Sequence, residues 1–181
     1  MSNKIETNAL SGNNANNLVQ LEDEFPYQTK DDGRPLDKSE IIFETSWKSF
    51  PIIIKSICGM FPTAYVNVKR KDLFEVQYDY VRNLPFEVTY QESVLTESTK
   101  FNLQTGKYDA DKQREGYWIG WDYGHYGQYN ALMPAMGGTK YSIKMILEDA
   151  MKFIDQFLIP RMEKLNESAR SDKKTSRKSR K

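Results

Sequence analysis

The segment "SIKMILEDAMKFIDQFLIP", Ser142 to Pro160, decides the fold of this chain. Ile143, Ile146, Leu147, Ala150, Ile154, Phe157 and Leu158 fall at offsets 0, 3, 4, 7, 11, 14 and 15, which puts them on one face of an α-helix. Ser142 is placed to cap the first turn and Pro160 to end or kink the helix. Such a stripe has to be buried, and the residues upstream supply a sheet to bury it. "TAYVNVKR" alternates Ala64, Val66 and Val68 with Thr63, Tyr65, Asn67 and Lys69. "LPFEVTYQESV" sets Phe86, Val88 and Tyr90 against Glu87, Thr89 and Gln91, and after a polar excursion with Gly106 "GYWIGW" gives a third, aromatic strand. "EIIFETSW" reads as a strand or a short helix, and "PIIIKSICGMF", opening with Pro51, as a helix turn packed on the core. The expectation is an α+β fold of two layers, with a small antiparallel sheet of three to five strands covered by one long C-terminal amphipathic helix.

With 181 residues, 39% of them apolar, the chain suits one domain with a core, placed at residues 21–165. Residues 1–20 carry six Asn and almost nothing to bury, so they are expected to be disordered. The same is expected of 166–181, where composition turns polar and charged. Cys58 is the only cysteine, which excludes an internal disulfide and any Cys-based zinc or iron–sulfur site within one chain, and points to a reducing, intracellular setting. No stretch approaches the roughly 18 to 20 continuous apolar residues that span a bilayer. Neither a signal peptide nor a membrane partner is expected.

The rarest residues gather in "GYWIGWDYGHYGQYN", Gly116 to Asn130, which holds two of the three Trp and the single His. On a strand Tyr117, Ile119, Trp121 and Tyr123 share one side and Trp118, Gly120 and Asp122 the other. The first set reads as core; the second has a gap at Gly120 of the kind that admits a ligand or another backbone. Gly124 and Gly127 bracket His125 and allow a tight turn that brings it to Asp122. A carboxylate that fixes an imidazole suits acid–base work, with Asp122 orienting and His125 exchanging the proton, and Glu87 or Tyr90 on the neighbouring strand positioning a ligand. The same pair offers two metal ligands, with Glu87 or Glu92 as a third. One His and one Cys fit zinc poorly, so the metal compatible with this set is a carboxylate-bound magnesium or calcium. No other cofactor is expected. The plainer reading makes Asp122 an Asx-turn acceptor and His125 a packing residue among tyrosines. Tyr123, Tyr126 and Tyr129 either fill a core or form a stacking wall for a base or sugar.

"WIGWDYGHYGQY" resembles the W-x-G-[FW]-D-x-x-H-x-G-D signature of a family of small, mostly uncharacterised proteins encoded by bacteriophages and some large DNA viruses. In that family the signature follows a strand of the type V-H-G-G-L-T-Y and precedes a single helix. Here Leu84 to Tyr90 stand in the first position and the helix after Lys140 in the last, so the resemblance covers roughly Thr63 to Leu158. Trp118, Gly120, Asp122, His125 and Gly127 match the signature, and Thr89 and Tyr90 match the upstream strand. Pro85 stands where the family tends to have His and Gln128 where it tends to have Asp. The resemblance implies a shared pocket at Asp122 and His125, in the cytoplasm or nucleus of an infected host or in a virion; the residues expected to line that polar and aromatic pocket are Trp118, Gly120, Tyr123, Tyr126, Glu87 and Tyr90. It brings no named reaction.

The tail "RSDKKTSRKSRK" holds seven Lys or Arg against one acid, leaving nineteen basic and twenty-four acidic residues in the rest of the chain. Lys173, Lys174, Arg177, Lys178, Arg180 and Lys181 suit nucleic acid or an acidic partner. Two functions follow from these features. One is a virus-type accessory protein that binds, and in an enzymatic version hydrolyses, a small polar or nucleotide-like ligand. The other is a non-enzymatic interaction or virion-associated protein that docks through its folded part and contacts nucleic acid through its tail.

Overall fold

A computed structural model describes residues 24–74 and 88–178, with side chains as far as Arg170. The Asn-rich segment, Phe86, Glu87 and the last three residues lie outside it. Five strands, β1 (Lys38–Trp47), β2 (Phe50–Ile57), β3 (Phe61–Asn67), β4 (Tyr90–Asn102) and β5 (Lys107–Asp122), form a closed barrel in the order β1-β2-β3-β5-β4. A four-residue helix, α1 (Lys71–Phe74), follows β3. The C-terminal helix runs as α2 (Ile143–Phe153), a π turn (Ile154–Leu158) and α3 (Ile159–Lys178). The mixed α+β character and the long C-terminal helix stand as read from the sequence; the sheet does not lie flat but closes on itself. Among the described residues no helix is long and apolar enough to cross a membrane.

Closure explains where the sequence misleads. In β2, Ile52, Ile53 and Ile54 are all fully buried, Ile52 and Ile54 toward α2 and Ile53 into the barrel. A strand covered on both faces loses its alternation, so "PIIIKSICGMF" is a strand and its turn, not a helix turn. "EIIFETSW" is likewise a strand, β1. The alternation of "GYWIGW" is real, but both of its sides are interior: Ile119, Trp121 and Tyr123 pack against the helix while Trp118 fills the barrel. The polar excursion around Gly106 is the four-residue turn of the β4/β5 hairpin, closed by the Gly106 N–H to the Asn102 carbonyl at 2.8 Å.

Ile143, Ile146, Leu147, Ala150, Phe153, Ile154 and Leu158 are the buried face of the helix, and the Ser142 hydroxyl caps it by accepting from the Met145 N–H at 3.2 Å. Pro160 neither ends nor breaks it. Proline has no N–H to give the carbonyl four residues back, and the ladder widens just ahead of it, with the Ile159 N–H bonding the Ile154 carbonyl. That π turn carries Asp155, which accepts from Trp47 Nε1 at 2.9 Å and pairs with Lys48 at 3.0 Å. These contacts pin the β1/β2 turn, where Lys48 and Ser49 hold positive φ of 47° and 70° as a two-residue hairpin demands. The helix also runs past Leu165, where the composition suggested that order stops, as far as Lys178.

Every ladder in the ring is antiparallel. Around an odd number of strands up and down cannot alternate throughout, so a strand pair has to turn across the barrel. Irregularities that allow such a bend lie at Ile41/Phe43 in β1 and, along the β4/β5 ladder, at Glu92/Val94, Thr96/Ser98 and Ser98/Thr99. The cost falls on the β1/β4 seam, where the ladder has only the pairs Lys38 with Lys100 and Ser39 with Thr99. Side chains finish the closure. Arg114 on β5 donates to Glu97 on β4 and, through both terminal nitrogens, to Glu44 on β1; Lys112 pairs with Glu97 at 2.7 Å. Lys55 reaches from β2 to the Thr96 carbonyl on β4.

Glu97 is 3% exposed and Lys55 4%, whereas Arg114, Glu44 and Lys112 are partly exposed, so the cluster is buried at its centre and open to water at its rim. Burial pushes the Glu97 carboxyl up, but the Lys112 hydrogen bond and the Arg114 charge outweigh it and hold the group below 4.5. Burial drives the Lys55 ammonium down to about 8, with Glu97 and then Cys58 acting against it. A carboxyl lowered on folding contributes stability that is full above its unfolded value and lost as pH falls through the folded one. Arg114→Met, which leaves Glu97 with Lys112 as its charged partner and frees Glu44, is expected to cost about 1 to 2 kcal/mol in urea unfolding at neutral pH. Glu97→Gln should flatten the loss of stability on acidification below pH 4.5; a variant with the parent's acid slope would remove Glu97 from the latch.

Candidate functional site

β5 ends at Asp122, and the chain turns at once. Asp122 Oδ1 accepts the Gly124 N–H at 3.0 Å, an Asx turn, while Oδ2 accepts the Thr89 hydroxyl from the strand beside it at 3.1 Å. His125 to Gln128 form a second turn, closed by the Gln128 N–H to the His125 carbonyl at 3.0 Å, with Gly127 at φ 85°. These two turns bring His125 Nδ1 to 3.4 Å from Asp122 Oδ1. The imidazole is 46% exposed and the carboxylate 21%, so the ring stands at the water side of a half-buried acid. A straight strand would have sent the two to opposite faces; the glycines on either side of His125 prevent that.

Gln128 is a site residue that the sequence signalled only as a departure from a pattern. Its Oε1 accepts the His125 backbone N–H at 2.8 Å and its Nε2 donates to the Tyr141 hydroxyl at 3.4 Å. A neutral amide thus holds the turn from below, and adds no negative charge beside the imidazole. Phe61 is a second residue that sequence reading missed. Its ring lies against Gly124, where a Cβ would come 3.0 Å from it. No local pattern marks Phe61, because it comes from the adjoining strand β3, far from Gly124 in the chain.

Of the other residues expected to line the pocket, Trp118, Gly120, Tyr90 and Tyr123 are not gathered there. Trp118, 1% exposed, is inside the barrel with Ile53, Tyr65 and Leu95. The gap at Gly120 is filled: its neighbours across both ladders are Tyr65 and Tyr90, and a Cβ would sit 2.4 Å from the Tyr65 ring. The two rings meet edge to face at 5.1 Å, and the Tyr90 hydroxyl donates to the Val94 carbonyl. Burial, then Tyr65 and Glu92, push that hydroxyl up to about 12, so it stays a neutral donor.

Tyr123 points away from Asp122 into the helix interface. It accepts from Trp121 Nε1 at 2.9 Å and donates to Asp149 Oδ2 at 3.1 Å. Tyr129 packs on Tyr27 at 4.7 Å under the Lys140 ammonium, so it fills a corner. Tyr126, the residue after His125, is 97% exposed and does flank the turn. Cys58 is buried with its sulfur 3.3 Å from Ser39 Oγ. Lys173, Lys174, Arg177 and Lys178 belong to the last turns of α3, while Glu87, Arg180 and Lys181 lie outside the described residues. Among the described residues no group of three or more His, Cys, Asp or Glu is arranged to hold a metal.

Comparison with protein-family models, with curated proteins and with solved structures gives no match. The site therefore rests on its own geometry.

Asp122 has two tasks, the turn and the imidazole, and substitutions tell them apart. Asp122→Ala removes the acceptor of the Gly124 N–H and is expected to cost about 1 to 2 kcal/mol. Asp122→Asn keeps a side-chain oxygen there, and His125→Ala touches a half-exposed ring, so each should stay within about 0.5 kcal/mol of the parent. Chemical denaturation reads all three; a large loss with His125→Ala would make the ring a packing element.

Proposed function

We propose that this is a virus-type accessory domain whose Asp122–His125 turn binds a small polar or nucleotide-like ligand. The observation that carries the reading is the half-exposed imidazole within 3.4 Å of a carboxylate whose other contacts already fix its position. A ligand that reaches this turn from solvent meets the imidazole first. Asp122 is oriented before the ligand arrives, so binding there has little ordering entropy to overcome. In an enzymatic version His125 takes a proton from the ligand or from water, and Asp122 steadies the imidazolium that forms. Tyr126 offers a ring beside the site for a base or sugar. The resemblance to the phage and large-DNA-virus family supports the same residues, since Trp118, Gly120 and Thr89 shape the strand pair that delivers Asp122.

The competing reading, a protein-interaction role, draws support from the next loop. From Tyr123 to Thr139 the chain has no Asp, Glu, Lys or Arg, and this stretch exposes Leu132, Met133 and Met136 along with Tyr126. A charge-free surface of that kind suits contact with another protein.

Because His125 is the only histidine, its ring C–H signals report on the site alone in a proton NMR spectrum. A nucleoside monophosphate is expected to shift them saturably with a Kd of about 1 mM or tighter, and Asp122→Asn should weaken that response. If the nucleotide, inorganic phosphate and magnesium all leave the signals in place, the ligand-binding reading fails and the interaction reading stands in its place.

A further inference from the structure

The helical course of the C-terminus changes what its basic residues can do. Arg170, Lys173, Lys174, Arg177 and Lys178 fall at offsets 0, 3, 4, 7 and 8 along α3. On a helix those positions share one face, with Ser171, Asp172, Thr175 and Ser176 between them on the rest of the circumference. A charge run in a loose tail has no such register. The helix is braced to the barrel just before this stretch, where Arg70 donates to Asn166 Oδ1 at 3.0 Å. The basic positions therefore begin four residues beyond a fixed point, on an element rooted in the domain.

We propose that this face of α3 docks on double-stranded DNA. The stripe spans about 12 Å along the helix axis, given a rise of about 1.5 Å per residue. The major groove of B-form DNA, about 12 Å wide, admits an α-helix, whereas the deep and narrow major groove of double-stranded RNA does not. Single strands are bound largely by aromatic stacking, and no aromatic residue occurs from Arg161 to Lys181. The rest of the chain carries an acidic excess, so attraction to phosphate is concentrated on this one element. The contacts are electrostatic and independent of base sequence. They leave the Asp122–His125 turn uninvolved, and the inference stands or falls apart from the ligand reading.

The full chain is tested by fluorescence anisotropy against a duplex DNA, the corresponding single strand and the corresponding duplex RNA, across a salt series. Duplex DNA should bind tightest, with a slope of log affinity against log salt of about −4. The decisive variant keeps the charge and breaks the register: Lys173→Thr with Thr175→Lys, and Lys174→Ser with Ser176→Lys, which disperses the five basic positions around the helix. It is expected to lose about tenfold in duplex affinity at unchanged net charge. Removal of residues 170–181 should abolish duplex binding while thermal unfolding of the domain stays the same. Equal affinity in the register variant, a preference for the single strand or for RNA, or binding that survives the truncation would each overturn the proposal.

Discussion

One guanidinium holds the barrel shut. Arg114 joins β5 to β4 through Glu97 and to β1 through Glu44, and thereby bridges the seam where only two residue pairs keep β1 and β4 in register. The need for such a bridge is topological. Five strands that all pair antiparallel cannot be closed by backbone ladders of equal length, and the deficit here is made up by charged side chains. Buried ion pairs are an uncertain source of net stability because each charge has first to leave water. Their value at this seam is positional: Glu97 takes Lys112 and Arg114 from β5 within the hairpin, and the Arg114 it holds then meets Glu44 on β1 only where the barrel is closed.

The candidate site depends on that closure indirectly. β5 is sandwiched between β3 and β4, and Gly120 is the one place where Tyr65 and Tyr90 meet across it. Their rings occupy the room that a side chain would need, and so set the spacing of the three strands at the end where Asp122 emerges. Thr89, next to Tyr90, then reaches the Asp122 carboxylate. Asp122 is at once a turn-former and the partner of an exposed imidazole. Both uses fall on Oδ1, which accepts the Gly124 N–H and faces His125, while Oδ2 is held by Thr89. What reads in the sequence as a choice between a packing corner and a site is, in three dimensions, a corner that presents a titratable ring to water.

Much of this was legible before any coordinates. The apolar face of the helix, its Ser142 cap, the strands around Val66 and Ile119 and the meeting of Asp122 with His125 follow from periodicity and from where glycine falls. The illegible parts share a physical cause: they depend on residues far apart in the chain. Nothing near Ile53 says that both of its faces are covered, and nothing near Gly120 says that its gap belongs to Tyr65. Glu44, Glu97 and Arg114 are ordinary charged residues on amphipathic strands until closure brings them together. Trp118 and Tyr123 looked like pocket residues because aromatic side chains serve cores and sites equally well; burial decides, and both are core. Pro160, read as an end or a kink, does not end the helix, since one widened turn ahead of it absorbs the proline.

The claim on which the rest stands is that ion pairs, in place of a full ladder, close β1 onto β4. A double-mutant cycle on Glu44→Gln and Arg114→Met measures this most directly, since the two residues lie on strands that share no ladder and meet only through their side chains. The closed barrel predicts a coupling energy of about 1 kcal/mol or more between them. Additive effects, with no coupling beyond experimental error, would contradict it.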